Sequence, residues 1–119
     1  MCNRIAKLRR SAFQRQSGLC YYCGHLMWEA DVRAFASALC LTVAQALHHQ
    51  STAEHLVAKI DHGTDVRSNI VAACRVCNQR RHKGRAGHAP SAGDFRRVVR
   101  MKCARGAWLP WLTPRGLEH

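Results

Sequence analysis

The chain has 119 residues with 19 Lys or Arg against 7 Asp or Glu, which gives a formal net charge of +12. This length predicts one domain whose small core needs a staple, and this charge predicts a polyanionic partner rather than any particular fold. No run of 18 apolar residues and no signal-peptide pattern occurs, so no membrane-spanning segment is expected. Nucleic acid is the expected partner, and an anionic membrane surface is the second candidate. We therefore expect a cytoplasmic protein, in which cysteines stay reduced.

The first half of the chain predicts two helices. Residues 5–16 carry Ile, Leu and Phe loosely on one side and arginines elsewhere, which indicates a short basic helix. Residues 30–48 place apolar side chains at spacings of three and four, which predicts an amphipathic helix. Cys40 lies beside that apolar stripe and is expected to be buried, whereas His48 and His49 at the helix end are expected to be solvated.

The second half predicts a hairpin and two further helices. Short β-prone runs at 52–59 and 70–73 flank a turn-rich loop, as in a hairpin with a long connection. A basic helix should follow from Cys77 to about Lys83 and end at Gly84 and Gly87. A last basic helix is predicted over about 93–103, opened by a capping box that begins at Ser91.

Seven cysteines are present, and four of them form two pairs with the same inner spacing. Cys20 and Cys23 form the first pair, and Cys74 and Cys77 form the second. Two tight turns of this kind can aim four thiolates at one Zn²⁺ in a closed tetrahedral shell. We expect these four residues, called the zinc knot below, to be structural because a saturated shell has no open position for chemistry. The alternative is one chance pair with a second redox or buried pair.

Five polar residues around the second cysteine pair are candidates for chemistry, and they are called the polar cluster below: Glu54, His55, Asn69, Asn78 and His82. Asn78 and His82 are four residues apart on the predicted helix and share one face. A carboxylate, a carboxamide oxygen and an imidazole can hold a divalent cation while leaving positions for water and phosphate. His55 is then free to act as a base near neutral pH. The alternative is a set of surface polar residues on a zinc domain.

The stretch from Ala53 through Asn69 to His82, interleaved with the cysteine pairs, resembles the HNH endonuclease motif of the zinc-containing branch of that family. The resemblance covers roughly residues 20–83 and implies an α+β fold: a treble-cleft or ββα-metal module with a structural four-cysteine zinc knot and flanking helices. It also implies a single domain over 1–116, with a helical insertion at about 28–50. Residues 117–119 resemble the start of an expression tag.

The same resemblance implies a role for each member of the polar cluster. His55 would be the general base, and Asn69 would brace the loop that holds it. Glu54 and Asn78 would hold the catalytic divalent cation, and His82 would be its third ligand or contact the phosphate. Glu54 stands where relatives have Asp or His, and Asn78 stands where many have His. These oxygen ligands favour Mg²⁺ or Mn²⁺. The implied activity is metal-dependent hydrolysis of DNA phosphodiester bonds, leaving 5′-phosphate and 3′-hydroxyl ends.

Basic residues around the predicted metal helix are candidates for nucleic-acid binding: Arg75, Arg80, Arg81, Lys83 and Arg85. Contacts to phosphate position a duplex without reading its sequence, so we expect duplex DNA to be bound with low sequence specificity. Packing of Trp108 and Trp111 against the body is favoured over stacking on a base. Two further functions stay open, namely a non-catalytic zinc-stabilised nucleic-acid-binding module and a protein-interaction knuckle.

Overall fold

A computed structural model describes residues 3–83 and 89–112. The predicted ends at Gly84 and Gly87, the basic residue Arg85 and the segment 117–119 lie outside these described residues. The elements are, in chain order, α1 (Arg4–Arg15), α2 (Val32–Leu39), α3 (Val43–Leu47), β1 (Ser51–His55), β2 (Ile70–Cys74), α4 (Arg75–His82) and α5 (Ala92–Ala104).

The centre of the fold is an antiparallel hairpin followed at once by a helix. β1 pairs with β2 in a register that sets Ser51 opposite Cys74 and His55 opposite Ile70. α4 begins at the residue after β2, so the strand and the helix share the second cysteine pair. This ββα unit, with helices on its flanks, confirms the predicted α+β fold class.

α1 packs against the hairpin, and the side chain of its C-terminal cap bonds to β2. Gln16, the C-terminal cap of α1, donates from Nε2 to the carbonyl oxygen of Ala72 at 2.8 Å and accepts from the amide of Ala72 at 2.9 Å. The amide side chain thereby satisfies backbone groups on β2 that a third strand would otherwise take. Asn3 caps the other end of α1 through the amide of Ala6.

The predicted helix over 30–48 is two helices, so this prediction is wrong in its extent. Cys40 ends α2 in the left-handed conformation, with φ at 57°, and its side chain is exposed rather than buried. Thr42 then opens α3 with a capping box that Gln45 completes. The apolar spacing continues through the break because Val43 and Leu47 keep the same period, which is why periodicity alone did not detect it.

α5 covers the ββα unit from the other side. Ser91 caps it through the amide of Asp94, as the sequence predicted. The Asp94 side chain accepts from Arg97 and does not complete the predicted capping box. Phe95 and Val99 are buried in a core that also takes in Tyr22, Met27 and Trp108. Within the described part of the chain, no helix has the length and apolar character that crossing a bilayer requires.

Candidate functional site

The four cysteines of the zinc knot converge, although 50 residues separate the two pairs. Their sulfur atoms all lie within 4.8 Å of one another, and the Sγ atoms of Cys23 and Cys74 are 3.9 Å apart. Tetrahedral Zn²⁺ with bonds of about 2.3 Å requires neighbouring sulfurs about 3.8 Å apart. The four residues are therefore positioned to hold a metal, and the donor set is that of structural zinc.

The surroundings of the zinc knot stabilise thiolates. The amides of Tyr22 and Cys74 each approach Cys20 Sγ at 3.3 Å, and Trp108 Nε1 donates to Cys77 Sγ at 3.2 Å. Burial opposes ionisation of Cys20, but hydrogen bonds from the other three thiols lower its pKa, and bonding to Cys20 raises the pKa of Cys74 and Cys77. The four thiols therefore cannot all ionise by themselves, and a bound cation is needed to hold four thiolates together.

The turn that carries Cys20 and Cys23, called the first knuckle below, depends on a glycine and on α5. Gly24 has a φ of +74°, and a Cβ at this position would lie 3.3 Å from the guanidinium of Arg100. Arg100 Nε donates to the carbonyl oxygen of Tyr22, which ties α5 to the turn between the first two cysteines. Arg100 is therefore committed to the knuckle, although its charge contributes to the basic composition.

Glu54, near the end of β1, is buried in a network of donors. Its side chain is 2% exposed, and its Oε2 accepts from the Tyr22 hydroxyl at 2.8 Å and from Arg81 Nη1 at 3.1 Å. Its Oε1 lies 3.2 Å from His82 Nε2. A buried carboxylate is stable only with such partners, and here each oxygen has a different set.

His55, the next residue, projects to the loop that joins the strands. Its Nε2 lies 2.7 Å from Oδ1 of Asp65, and Oδ2 of Asp65 lies 3.5 Å from Lys59 Nζ. The hydrogen bond with His55, followed by the positive charge of Lys59, lowers the pKa of Asp65. Asp65 is thus a carboxylate that fixes the ring of His55, a partnership that the sequence analysis did not identify.

Asn69 braces the same loop. Its Oδ1 accepts from the amide of Val57 at 2.8 Å, and its Nδ2 donates to the carbonyl oxygens of Val57 and Thr64, each at 3.0 Å. Gly63 allows the close approach, since a Cβ there would lie 1.7 Å from the carbonyl oxygen of Val57. These contacts connect the two ends of the loop between β1 and β2.

Asn78 and His82 lie one turn apart on α4, on the side that faces β1. Asn78 Nδ2 donates to Thr52 Oγ1 at 3.0 Å and to the carbonyl oxygen of Ala53 at 3.3 Å. Adjacent ligands of an octahedral cation at about 2.1 Å are about 3.0 Å apart. The 3.2 Å between Glu54 Oε1 and His82 Nε2 is close to that value. The donor set therefore fits a small divalent cation.

The predicted nucleic-acid-binding residues separate into two groups. Arg75 and Lys83 are exposed. Arg80 is half-buried, donates to the carbonyl oxygen of Trp108 at 2.6 Å and lies 4.6 Å from the centre of the Trp108 ring. Arg81 is 3% exposed, which differs from the surface position that the sequence indicated.

Arg81 is instead an internal clamp. Besides Glu54 and Tyr22, its guanidinium donates to the carbonyl oxygens of His55 at 2.9 Å, Leu56 at 3.1 Å and Pro90 at 3.0 Å. It therefore fixes both the carboxylate of Glu54 and the backbone that carries His55. A guanidinium can do this because its donors form a rigid planar fork.

The histidines at the end of α3 differ from the expectation of solvated side chains. His49 is fully buried, its Nε2 accepts from Trp111 Nε1 at 2.8 Å, and its ring lies 5.1 Å from that of His25. Burial first, and then His25 and His48, lower its pKa to about 4. Trp111 also stacks on His48 at 4.7 Å, and Trp108 is buried, so both tryptophans pack against the body as favoured.

The fold and the two sites together define a small α+β domain that combines a ββα-metal unit with a four-cysteine metal site. Residues 42–84 match the family model described as HNH endonuclease. The match includes the whole polar cluster and the second cysteine pair. Comparison with curated proteins and with solved structures finds no significant match.

Sequence reasoning missed three residues that complete the site, namely Tyr22, Asp65 and the internal role of Arg81. Tyr22 carried a weak signal, since an aromatic residue between two ligands is common for packing alone. Asp65 lies in a long loop, and the sequence does not indicate which residue of that loop contacts His55. Arg81 looked like one more member of a basic run, because the sequence does not state which side of α4 is buried.

Proposed function

We propose that this protein is a metal-dependent endonuclease that hydrolyses phosphodiester bonds in DNA. The observation that carries the proposal is the meeting of β1 and α4, where Glu54 Oε1 lies 3.2 Å from His82 Nε2 and the next residue, His55, is held by Asp65. The match of residues 42–84 to the HNH endonuclease family supports a nucleic-acid substrate.

Glu54, Asn78 and His82 would hold one divalent cation, with Mg²⁺ or Mn²⁺ preferred by the oxygen donors. Such an ion supplies electrostatic stabilisation of the charge that develops on the phosphate. The Asn78 Oδ1 is available for this task, because the hydrogen bonds of this side chain to the described residues are all made by its Nδ2.

His55 would take the proton from the water that attacks phosphorus in line with the leaving 3′-oxygen. The products would then carry 5′-phosphate and 3′-hydroxyl ends. Asp65 would hold the ring, and its lowered pKa keeps it ionised at neutral pH, where it stabilises the protonated ring after the transfer. Asn69 would keep the loop with Asp65 closed over the strand ends.

The net charge of +12 and the exposed Arg75 and Lys83 support binding to the DNA backbone. Low sequence specificity is expected, since contacts to phosphate do not distinguish bases. The logarithm of affinity should fall with the logarithm of salt concentration by about 0.9 for each phosphate neutralised on B-DNA. Fluorescence anisotropy with unrelated duplexes across a salt series measures both properties.

The decisive experiment is nicking of supercoiled plasmid by zinc-loaded protein with and without added Mg²⁺ or Mn²⁺. Conversion to open-circular or linear DNA only in the presence of the added ion is the expected result. Retained binding without any nicking in either metal would contradict the proposal.

That outcome would favour a second candidate, a zinc-stabilised nucleic-acid-binding module without cleavage. One observation favours it: Glu54 is 2% exposed and paired with Arg81, an arrangement that a purely structural ion pair would also have. The same plasmid assay separates the two functions, because only the endonuclease requires a second metal.

A further inference from the structure

Tyr22 connects the zinc knot with the polar cluster. It stands between Cys20 and Cys23, its side chain is fully buried, and its hydroxyl lies 2.8 Å from Glu54 Oε2. The hydroxyl therefore donates a hydrogen bond to the buried carboxylate.

Two aromatic side chains pack against the ring of Tyr22. It makes edge-to-face contacts with Phe95 at 5.0 Å and with Tyr21 at 5.2 Å between ring centres. Its amide donates to Cys20 Sγ at 3.3 Å, so the backbone of the residue is fixed by a member of the zinc knot. The position of the hydroxyl is consequently set by the folded first knuckle.

The two oxygens of Glu54 are unequal because of this contact. Oε2 is occupied by Tyr22 and Arg81, whereas Oε1 is directed at His82. Arg81 could engage both oxygens of a carboxylate that was free to turn, as guanidinium groups commonly do. The Tyr22 hydroxyl opposes that rotation, because it holds Oε2 by a hydrogen bond from the turn between Cys20 and Cys23.

We propose that Tyr22 is a positioning residue through which the zinc knot presents Glu54 Oε1 to the catalytic cation. This inference rests on the proposed function, since it assigns Glu54 to the cation. The zinc knot then sets the affinity of the second metal site in addition to stabilising the fold. Tyr22 itself contacts neither the cation nor the substrate.

The test compares Tyr22→Phe with Tyr21→Phe in the full, zinc-loaded chain. Both changes remove one hydroxyl and keep the ring, and Tyr21 is the neighbouring residue of the same knuckle with its ring 4.6 Å from the guanidinium of Arg96. Binding of Mn²⁺ is followed by the electron paramagnetic resonance signal of the free ion. Zinc content and thermal unfolding are measured on the same samples.

We expect the Mn²⁺ dissociation constant to rise about tenfold in Tyr22→Phe, the size associated with a lost hydrogen bond to a charged group. Tyr21→Phe should bind within about twofold of the unchanged protein, and zinc should remain at one per chain in both variants. In cleavage, the Mg²⁺ concentration for half-maximal rate should rise similarly, with the rate at saturating Mg²⁺ largely recovered. A merely structural defect would lower the rate at every Mg²⁺ concentration.

Equal Mn²⁺ affinity in Tyr22→Phe and the unchanged protein would overturn the inference, whether or not plasmid is cut. An equal loss in the Tyr21→Phe control would also overturn it, since the effect would then belong to the knuckle as a whole. Absence of cleavage by the unchanged protein would instead reject the proposed function. The two failures are therefore distinguishable in one set of samples.

Discussion

The zinc knot and the polar cluster both include residues of the β1–β2 hairpin and of α4, but they are organised differently. The zinc knot uses one residue type four times, and its sulfurs lie within 4.8 Å of one another. The polar cluster uses several residue types, and its members are held by residues outside it, namely Tyr22, Asp65 and Arg81.

This difference separates a closed site from an open one. A closed shell of identical ligands needs only that the chain bring them together, and the metal then stabilises the fold. An open site must keep ligands in place while leaving positions for water and substrate, so it needs rigid supporting contacts. The buried Arg81 supplies those contacts for both Glu54 and the backbone of His55.

The largest expected effect follows from breaking the zinc knot. Cys74→Ser should abolish zinc binding and unfold the domain, because zinc contributes about 10–16 kcal/mol in small zinc-dependent folds. Elemental analysis and far-ultraviolet circular dichroism measure the two losses. Cys40→Ser is the matched control, since Cys40 is exposed and outside the knot, and it should keep full zinc content. A folded, zinc-free Cys74→Ser protein would contradict the structural role of the metal.

Removing the base of the polar cluster should leave the zinc knot intact. His55→Ala should lower the cleavage rate by about 10²–10⁴, since a general base acts in the chemical step. Zinc content, unfolding temperature and DNA affinity should change little. His62→Asn removes an exposed histidine of the same loop and should retain activity. Cleavage by His55→Ala at the rate of the unchanged protein would reject the assignment of His55.

Glu54 should behave differently from His55 because it is ion-paired in the interior. Glu54→Ala should abolish cleavage and also lower the free energy of unfolding by about 3–5 kcal/mol, since Arg81 is left as an unpaired buried charge. Replacing both residues, as in Glu54→Leu with Arg81→Met, should recover much of that stability without recovering cleavage. Denaturant unfolding of the single and double variants measures the coupling. Equal stability of Glu54→Ala and the unchanged protein would show that the pair is not needed.

Asp65 should have a smaller effect, confined to turnover. Asp65→Asn keeps the size of the side chain and removes its charge, so the hydrogen bond to His55 weakens. We expect the cleavage rate at saturating DNA and Mg²⁺ to fall about tenfold to a hundredfold. Lys59→Gln removes only the more distant partner of Asp65 and should change the rate by less than about threefold. A similar loss in both variants would assign the effect to the loop rather than to His55.

The smallest effect concerns the buried His49 and the pH dependence of the free energy of unfolding. The pKa of His49 is lowered to about 4, so the unfolded chain binds more protons between that pH and about 6.5. This contribution to stability is complete above pH 6.5 and is lost as the pH falls towards 4, amounting to about 2 kcal/mol between pH 7 and 5. His49→Gln, which keeps an acceptor for Trp111, should show a correspondingly smaller decrease. If the free energy of unfolding varied with pH in the same way in His49→Gln and in the unchanged protein, His49 would not be a buried neutral side chain.

The elements of the ββα unit were predictable because their signals are local. The two β-prone runs, the turn-rich loop and the capping Ser91 each lie within a few residues and were found near their predicted positions. The helix over 30–48 was not predictable in extent, because its break depends on the single left-handed residue Cys40. Apolar period carries no information about such a break.

The sequence by itself determined which residues are candidates for metal binding and for the proposed chemistry. The spacing of Cys20 to Cys23 and of Cys74 to Cys77 is a property of tight turns, and ligand chemistry then requires the pairs to meet. The order of Glu54, His55, Asn69 and Asn78 likewise identified the family segment before any contact was visible.

Only the tertiary structure decided which charges are internal and what supports the site. Tyr22 and Glu54 are 32 residues apart, and Arg81 is 27 residues from Glu54, so no local pattern indicates that they share one buried network. Whether an arginine of α4 faces solvent or the hairpin depends on how the helix is rotated against β1 and α5. That rotation is set by packing of the whole core and by the zinc knot. A buried Arg81 is stable only because Glu54 and several carbonyl oxygens accept its hydrogen bonds.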